Sequence, residues 1–456
     1  MKGLADEPNY SVALLEGVTA ISDMVDNYIY EQTLVEKNAF FVADLGVIQR
    51  QHVRWRTHMP LVRPFYPVQT NSSPAVIELL AALGTGFVCT NKCELELVRG
   101  HGVPPKDIVY SGVCKQISQI KYAAKNGIDM LVCDNEPELR KIARCHPHAK
   151  LLLQVVTEAS SDGQEMGVTV GSKLKDCRHL LESAMELGVE VVGVRFHIPC
   201  SCDDPGAYNR AVSDARCVFD MGEDVGFSMS ILDIGSGLRG SETQLKQING
   251  AVGSLLELYF PASSGVSIIA EPGSYYVSSS FTLAVNVIEK QVVSPDLHPN
   301  QLHGGPSPNH EPEYLYYMNN GVYDLFTSKL ADNVIPAPAV HKSAARCSRI
   351  SEEPVFASSL WGPSGDDLDL VVDHCLLPEL SVGDWLIFSN AGAFSLGSPS
   401  TFTDTSRPPV YYTISSTDWF EMQDDGITQK ISMKKFSPVS YFLHSSQSDE
   451  APSIPA

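Results

Sequence analysis

"RPFYPVQTNSSP", Arg63 to Pro74, is a short apolar run that ends in a polar turn and a helix start. The same unit returns along the chain. Apolar runs at Pro64–Val68, Gly86–Cys89, Asp107–Tyr110, Asp129–Cys133, Lys150–Val156, Glu190–Phe196, Ser228–Ile234 and Val266–Ala270 alternate with helical patterns such as "PAVIELLAAL" and "NEPELRKIARCHP". Strands alternating with helices predict βαβ units and a parallel sheet. The pattern alone leaves a doubly wound open sheet as an alternative. A count of eight favours closure into a (β/α)8 barrel of the TIM type.

Beyond about residue 280 the texture changes. "FTLAVNVIEKQVV", "EYLYYMNNGVYDLF", "VGDWLIFSNAGAF" and "PPVYYTIS" are β-rich and set apart by Gly, Pro and Asp turns. They predict a second domain, a β-sandwich or β-barrel-like unit, so the fold class is α/β followed by β. The expected division is an N-terminal segment, 1–36, packing on the β domain; the barrel, 37–280; the β domain, 281–435; and a disordered tail, 436–456. Residues 294–312, "SPDLHPNQLHGGPSPNHEP", read as a mobile loop.

The bulk numbers narrow the function. The chain has 456 residues, enough for two domains with a sizeable core. Thirty-three Lys and Arg stand against 54 Asp and Glu, a formal charge of −21. That argues against nucleic acid, whose binders need basic patches to displace counterions. The acidic N-terminus has no long apolar core and no stretch reaches about 18 apolar residues, so neither a signal peptide nor a membrane span is expected. Eleven cysteines without CxxC pairs fit reduced thiols and give no metal motif. The expected compartment is the cytoplasm, with the nucleus as a second.

In a barrel of this kind chemistry sits at the C-terminal ends of the strands. Gln69 follows the first strand, Val88 ends the second, Gln154 lies in the fifth and His197 follows the sixth. "DIGSGLRG" follows the seventh and "EPGSYYV" the eighth, the usual phosphate site of the fold. Gly235, Gly237 and Gly240 would let backbone N–H groups approach a phosphate. A tight turn explains the same glycines.

The motifs "AFFVADLG", "CKQISQIKYAAKNG", "SDARCVFDMG", "LDIG-G--G", "AEPG-YYV", "SSLWGP" and "LP-L-VGDWLIF-N-GA" carry a family resemblance over roughly residues 10 to 425. The chain resembles the eukaryotic ornithine decarboxylases, pyridoxal-phosphate enzymes with an N-terminal barrel and a C-terminal β domain. "GSYYVSSSFTLAVN" and "DWFEMQDDGIT" look like their non-catalytic branch, the antizyme inhibitors.

The resemblance implies how the site has changed. The enzymes read PFYAVKCN and hold pyridoxal phosphate as a Schiff base on that Lys; here the position is Gln69, whose amide cannot form one. An Asp of their "GFDC" is Val88, and an Arg on the fifth strand is Gln154. The phosphate-gripping Arg of "EPGRYY" is Ser274, and a Ser of "FHVGS" is Cys200. "GGGFPG" has become "GSGLRG", which puts Ser236 at a glycine position and leaves Arg239 as one residual positive charge. The Tyr of "NMGAY" is Phe394, the Cys of "GPTCDG" is Gly365, and a Tyr beside Asp332 is Ala331. What is retained is His197, whose ring would stack on the cofactor, and Glu271, which would pair with the pyridine nitrogen. Gly235, Gly237, Glu94, Asp332 and Asp366 are kept as well, as vestiges of the cofactor site or as structural residues. Glu271, buried in a barrel mouth, needs a donor.

Lost chemistry on a kept fold makes binding the expected role. In "KQISQIKYAAKNG" Lys121 and Lys125 lie one turn apart. In "NEPELRKIARCHP" Arg140, Lys141 and Arg144 cluster. On a chain this acidic such a patch could steer an acidic partner, or could be two solvated helix faces. The resemblance assigns these positions to the binding of antizyme, the small protein that captures ornithine decarboxylase monomers for degradation.

The expected function is therefore a pseudoenzyme without cofactor or metal. It would sequester antizyme, spare ornithine decarboxylase and raise polyamine synthesis and uptake, as a monomer or weak homodimer. The alternatives are a pyridoxal-phosphate-dependent amino-acid decarboxylase with an altered site, and a relative that binds neither partner.

Overall fold

A computed structural model describes residues 10–16, 20–33, 36–112, 114–157, 170–199, 202, 204, 206–237, 242–293, 312–331, 335–341, 354–396, 407–433 and 436–437. The chain opens with β1 (Val12–Leu15), a helix (Ile21–Thr33), β2 (Phe40–Asp44) and a second helix (Leu45–His58). Eight barrel strands follow: β3 (Val62–Pro67), β4 (Gly86–Cys89), β5 (Ile108–Tyr110), β6 (Met130–Cys133), β7 (Lys150–Val155), β8 (Glu190–Phe196), β9 (Ile231–Asp233) and β10 (Ser267–Ala270). They pair in parallel, and β10 returns to β3 to close the barrel. The open-sheet alternative is thereby excluded.

The strands read as unbroken apolar runs because both faces are covered. Phe65, Val88, Val109, Val132, Leu152, Val192 and Ile269 fill the barrel. Their neighbours Tyr66, Phe87, Leu131 and Leu153 turn outward to the helices. One irregularity matters for the site. Opposite the Leu151–Leu152 step β8 carries one extra residue, so Leu151 pairs with Val191 but Leu152 pairs with Gly193. A bulge of this kind exchanges the faces of every residue beyond it. It sets Arg195 opposite Gln154.

The second domain is a ten-stranded mixed sheet. It contains β11 (Phe281–Val293), β12 (Glu313–Met318), β13 (Pro338–Val340), β14 (Val355–Trp361), β15 (Leu370–Pro378), β16 (Trp385–Phe388), β17 (Val410–Ser415) and β18 (Phe436–Ser437), together with β1 and β2. β2 lies in the stretch read from the sequence as barrel. It pairs with β11 antiparallel and with β17 in parallel, because a strand that precedes the first barrel helix has no free edge in a closed barrel. The helix Ile21–Thr33 covers this sheet through Met24, Val25 and Ile29, against Phe40 and Trp385. Residues 294–311 of the expected mobile loop, and the tail from Pro438, lie outside the described residues.

The two domains meet at the barrel mouth. Asn71, just past Gln69, donates from Nδ2 to the Gly392 carbonyl at 2.9 Å and accepts from Ser73 N at 3.0 Å. Phe394 N donates to the Thr70 carbonyl at 2.8 Å. Phe394 sits in the left-handed region at φ 53°, which the bonds on either side of it hold in place. Asn71 is 2% exposed, so Asn71→Ala leaves buried groups without partners. The expected cost is about 2–3 kcal/mol in urea or thermal unfolding. A loss within about 0.5 kcal/mol would contradict this account of the junction.

Candidate functional site

The barrel mouth is organised by a buried charge cluster. Arg195, near the end of β8, has a side chain 11% exposed. Its Nε and Nη2 donate to the two Glu271 oxygens at 2.7 and 2.9 Å. Nη1 donates to Gln154 Oε1 across the strand pair. Asp233 Oδ2 lies 3.6 Å from Nε. Asp233 is fully buried and its Oδ1 accepts from Gly235 N at 2.9 Å. Burial and the neighbouring Glu271 carboxylate push Asp233 well above the usual range. Burial opposes ionisation of Glu271, but the guanidinium outweighs it and holds this carboxyl below its ordinary value. The guanidinium is thus the counter-ion of the Glu271 carboxylate, with the Asp233 carboxyl beside it.

The sequence asked for a donor to Glu271, and Arg195 is that donor. Neither Arg195 nor Asp233 was singled out from sequence. The available signal was an Arg inside the otherwise apolar strand "EVVGVRF", where a charge must find a buried partner.

The other predicted positions spread around this centre. Gln69 is exposed in the turn Val68–Thr70 that follows β3. Val88 belongs to the apolar filling of the barrel. Ser274 lies in the short helix Gly273–Val277 after Glu271. Ser236 Oγ is 2.9 Å from His197 Nδ1, tying the loops after β8 and β9 together. Gly235 and Gly237 have φ of 69° and 107°, and a Cβ on them would come 2.1 Å from the Phe196 oxygen and 2.7 Å from the Ile198 oxygen. The tight turn accounts for both glycines, and Gly235 N–H is already spent on Asp233.

Glu94 is the reciprocal partner in a helix cap. Asn91 Oδ1 accepts from Glu94 N at 3.0 Å while Glu94 Oε2 accepts from Thr90 N at 2.6 Å. Asp366 caps Leu368 N at 3.0 Å and accepts from the Tyr323 hydroxyl at 3.0 Å, in the turn that holds Gly365 at φ 73°. These two carboxylates therefore have local structural work. Cys200, Arg239 and Asp332 lie outside the described residues, as does the Ala331 side chain. Among the described residues no group of His, Cys, Asp and Glu is arranged to hold a metal.

The basic residues lie on two packed neighbouring helices, Ile117–Lys125 and Glu136–Cys145. Asn135 caps the second by accepting from Glu138 N at 2.9 Å. Arg140 is bound to Glu136 one turn earlier at 2.5 Å, and Lys141 to Glu138 at 2.5 Å. Glu138 also faces the buried Lys115 ammonium at 3.7 Å. Lys121, Lys125 and Arg144 are exposed and enter no ion pair among the described residues. An open depression lies beside them, lined by Ile117, Pro137, Arg140, Arg144 and Cys145.

Burial, reinforced by the Arg195 charge, lowers the His197 pKa from 6.5 to about 4. Folding thus favours the neutral ring. That contribution is complete above pH 6.5 and is lost as acid charges the ring down through about pH 4. An NMR titration should find the His197 midpoint near 4; a midpoint between 6 and 7 would contradict the half-buried, neutral ring.

Comparison with known proteins agrees with this geometry. The model of the pyridoxal-dependent decarboxylase pyridoxal binding domain matches residues 45–278. Antizyme inhibitor 1 of Pongo abelii is 53% identical over 449 residues, 98% of this chain and 99% of that protein. Ornithine decarboxylase of Rattus norvegicus is 47% identical over 408 residues, 89% of this chain and 87% of that one. Among solved structures, the Paramecium bursaria Chlorella virus arginine decarboxylase bound to agmatine aligns with a TM-score of 0.73 at 26% identity, over 85% of this chain and 99% of that one. The chain belongs to the pyridoxal-dependent ornithine decarboxylase family, and its likeness to antizyme inhibitor 1 exceeds its likeness to ornithine decarboxylase.

Proposed function

We propose that this protein is a non-enzymatic regulator that binds antizyme and thereby spares ornithine decarboxylase. The observation that carries the reading is Gln69, a neutral amide at the exit of the first barrel strand of an intact decarboxylase fold. An amide nitrogen is not a nucleophile toward an aldehyde. The residues present do not fit pyridoxal phosphate in other ways. Both Glu271 oxygens are engaged by Arg195, and Ser274 offers no cation to a phosphate. The likeness to antizyme inhibitor 1 over 98% of the chain supports a role in binding rather than in decarboxylation.

The partner surface in this reading is the pair of helices that bears Lys121, Lys125, Arg140, Lys141 and Arg144. Arg140 and Lys141 are held by Glu136 and Glu138, which preorganises them and weakens their field. Steering then falls mainly to Lys121, Lys125 and Arg144. Ile117, 52% exposed beside them, supplies an apolar contact. Competition for antizyme is mass action: each antizyme bound here is one fewer on the decarboxylase. The outcome is more polyamine synthesis and uptake. The expected setting is the cytoplasm, and the nucleus as well, with the protein acting as a monomer or weak homodimer. Among the described residues no helix is long and apolar enough to cross a membrane.

Isothermal titration with purified antizyme tests the reading. Lys125→Glu combined with Arg144→Glu should raise Kd at least tenfold, about 1.4 kcal/mol. No binding by the unaltered protein, or carbon dioxide released from ornithine by it alone, would overturn it. Unchanged affinity in the double variant would move the antizyme site elsewhere.

A further inference from the structure

We propose that Arg195 is a built-in counter-ion for Glu271, standing where a ligand cation would otherwise neutralise the barrel mouth, and that its removal opens a site for small planar cations. The proposal rests on the cofactor-free reading of the mouth but not on antizyme binding.

Three observations carry it. The Glu271 carboxylate is 3% exposed, and among the described residues Arg195 is the one basic side chain that ion-pairs with it or with Asp233. The contact is a two-pronged fork, the geometry a planar cation makes with a carboxylate. The backbone is built to deliver it. Simple alternation from Val192, which faces the barrel interior, would send Arg195 outward to the helices. The extra residue at Val192–Gly193 reverses that. Gly193 is required at the step, because a Cβ there would lie 2.0 Å from the Ile231 carbonyl oxygen. Gln154 Oε1, aligned with Arg195 in the neighbouring strand, takes the remaining prong. All three outward arms of the guanidinium are thereby engaged.

Removing the side chain of Arg195 leaves a buried carboxylate, an amide oxygen and a space shaped for a planar cation between them. Guanidinium itself is the probe, since it restores the same fork. The experiment compares the thermal midpoints of the full-length protein, Arg195→Ala, Glu271→Gln and the double variant, at pH 7. Each is measured in millimolar guanidinium chloride and in sodium chloride of equal ionic strength. Arg195→Ala should lower Tm by on the order of 5 °C or more. Glu271→Gln placed on that background should recover most of the loss. Guanidinium should raise the midpoint of Arg195→Ala while leaving the unaltered protein and the double variant where sodium leaves them.

Additive losses for the two substitutions, or a guanidinium response equal in all four proteins, would overturn the proposal. Should Arg195→Ala not fold, the double variant decides: recovered folded, it supports the coupling; unfolded, it refutes it. A rise in the midpoint of the unaltered protein with pyridoxal phosphate would strike the cofactor-free reading instead. The coupling is measured without that ligand, so failure of the coupling and failure of the cofactor-free reading are told apart.

Discussion

The fork between Arg195 and Glu271 is the interaction on which the barrel mouth depends. Eight parallel strands converge there, and three of them bring acidic or amide groups into a space closed to water. Two carboxyls without a counter-ion would have to take up protons or pull the loops apart. The guanidinium favours the ionised form of Glu271, faces Asp233 and ties β7, β8 and the exit of β10 into one unit. Removing one member of such a buried pair costs about 3–5 kcal/mol, because the survivor is left charged in a dry site. Within the mouth the Glu271 carboxylate has its counter-ion in the chain itself.

Around that centre, residues that could be taken for remnants of chemistry have structural work. Glu94 closes a helix cap, Asp366 closes a turn, and Gly235 and Gly237 let the loop after β9 pass against the carbonyls leaving β8. Val88 extends the apolar filling upward toward the mouth. The serine at 236 bonds His197 and so fixes a ring that is neutral and held in place. Across the junction, the left-handed Phe394 and the buried Asn71 set the β domain on the barrel. None of these contacts needs a bound group to complete it.

Much of this architecture is legible in the sequence. All eight strand runs appear, each within a few residues of its expected place, because strands buried on both faces write themselves as continuous apolar stretches. The neutral Gln69 at a strand exit is equally legible. What escapes is whatever depends on register. Arg195 reads as outward-facing under strict alternation, and the single extra residue that turns it inward has no composition of its own. The crossing of Phe40–Asp44 into the second sheet escapes for a related reason: a five-residue apolar strand carries no mark of which sheet it joins. The internal pairing of Arg140 and Lys141 was open to inspection, since Glu136 and Glu138 stand one turn before them.

Charge serves this fold differently inside and outside. Within the mouth Arg195 and Glu271 pair; on the helices Ile117–Lys125 and Glu136–Cys145 the Lys121, Lys125 and Arg144 charges enter no ion pair among the described residues, on a chain whose overall charge is −21. A protein so built is suited to meeting another protein, not to turning over a substrate. The most direct measurement is a titration of the purified protein with pyridoxal phosphate, followed by absorbance and by heat. This account predicts that the aldehyde spectrum stays unchanged, with no saturable heat through micromolar concentrations. A saturable spectral shift with stoichiometric heat would contradict it, because Gln69 offers no amine and Glu271 no free carboxylate.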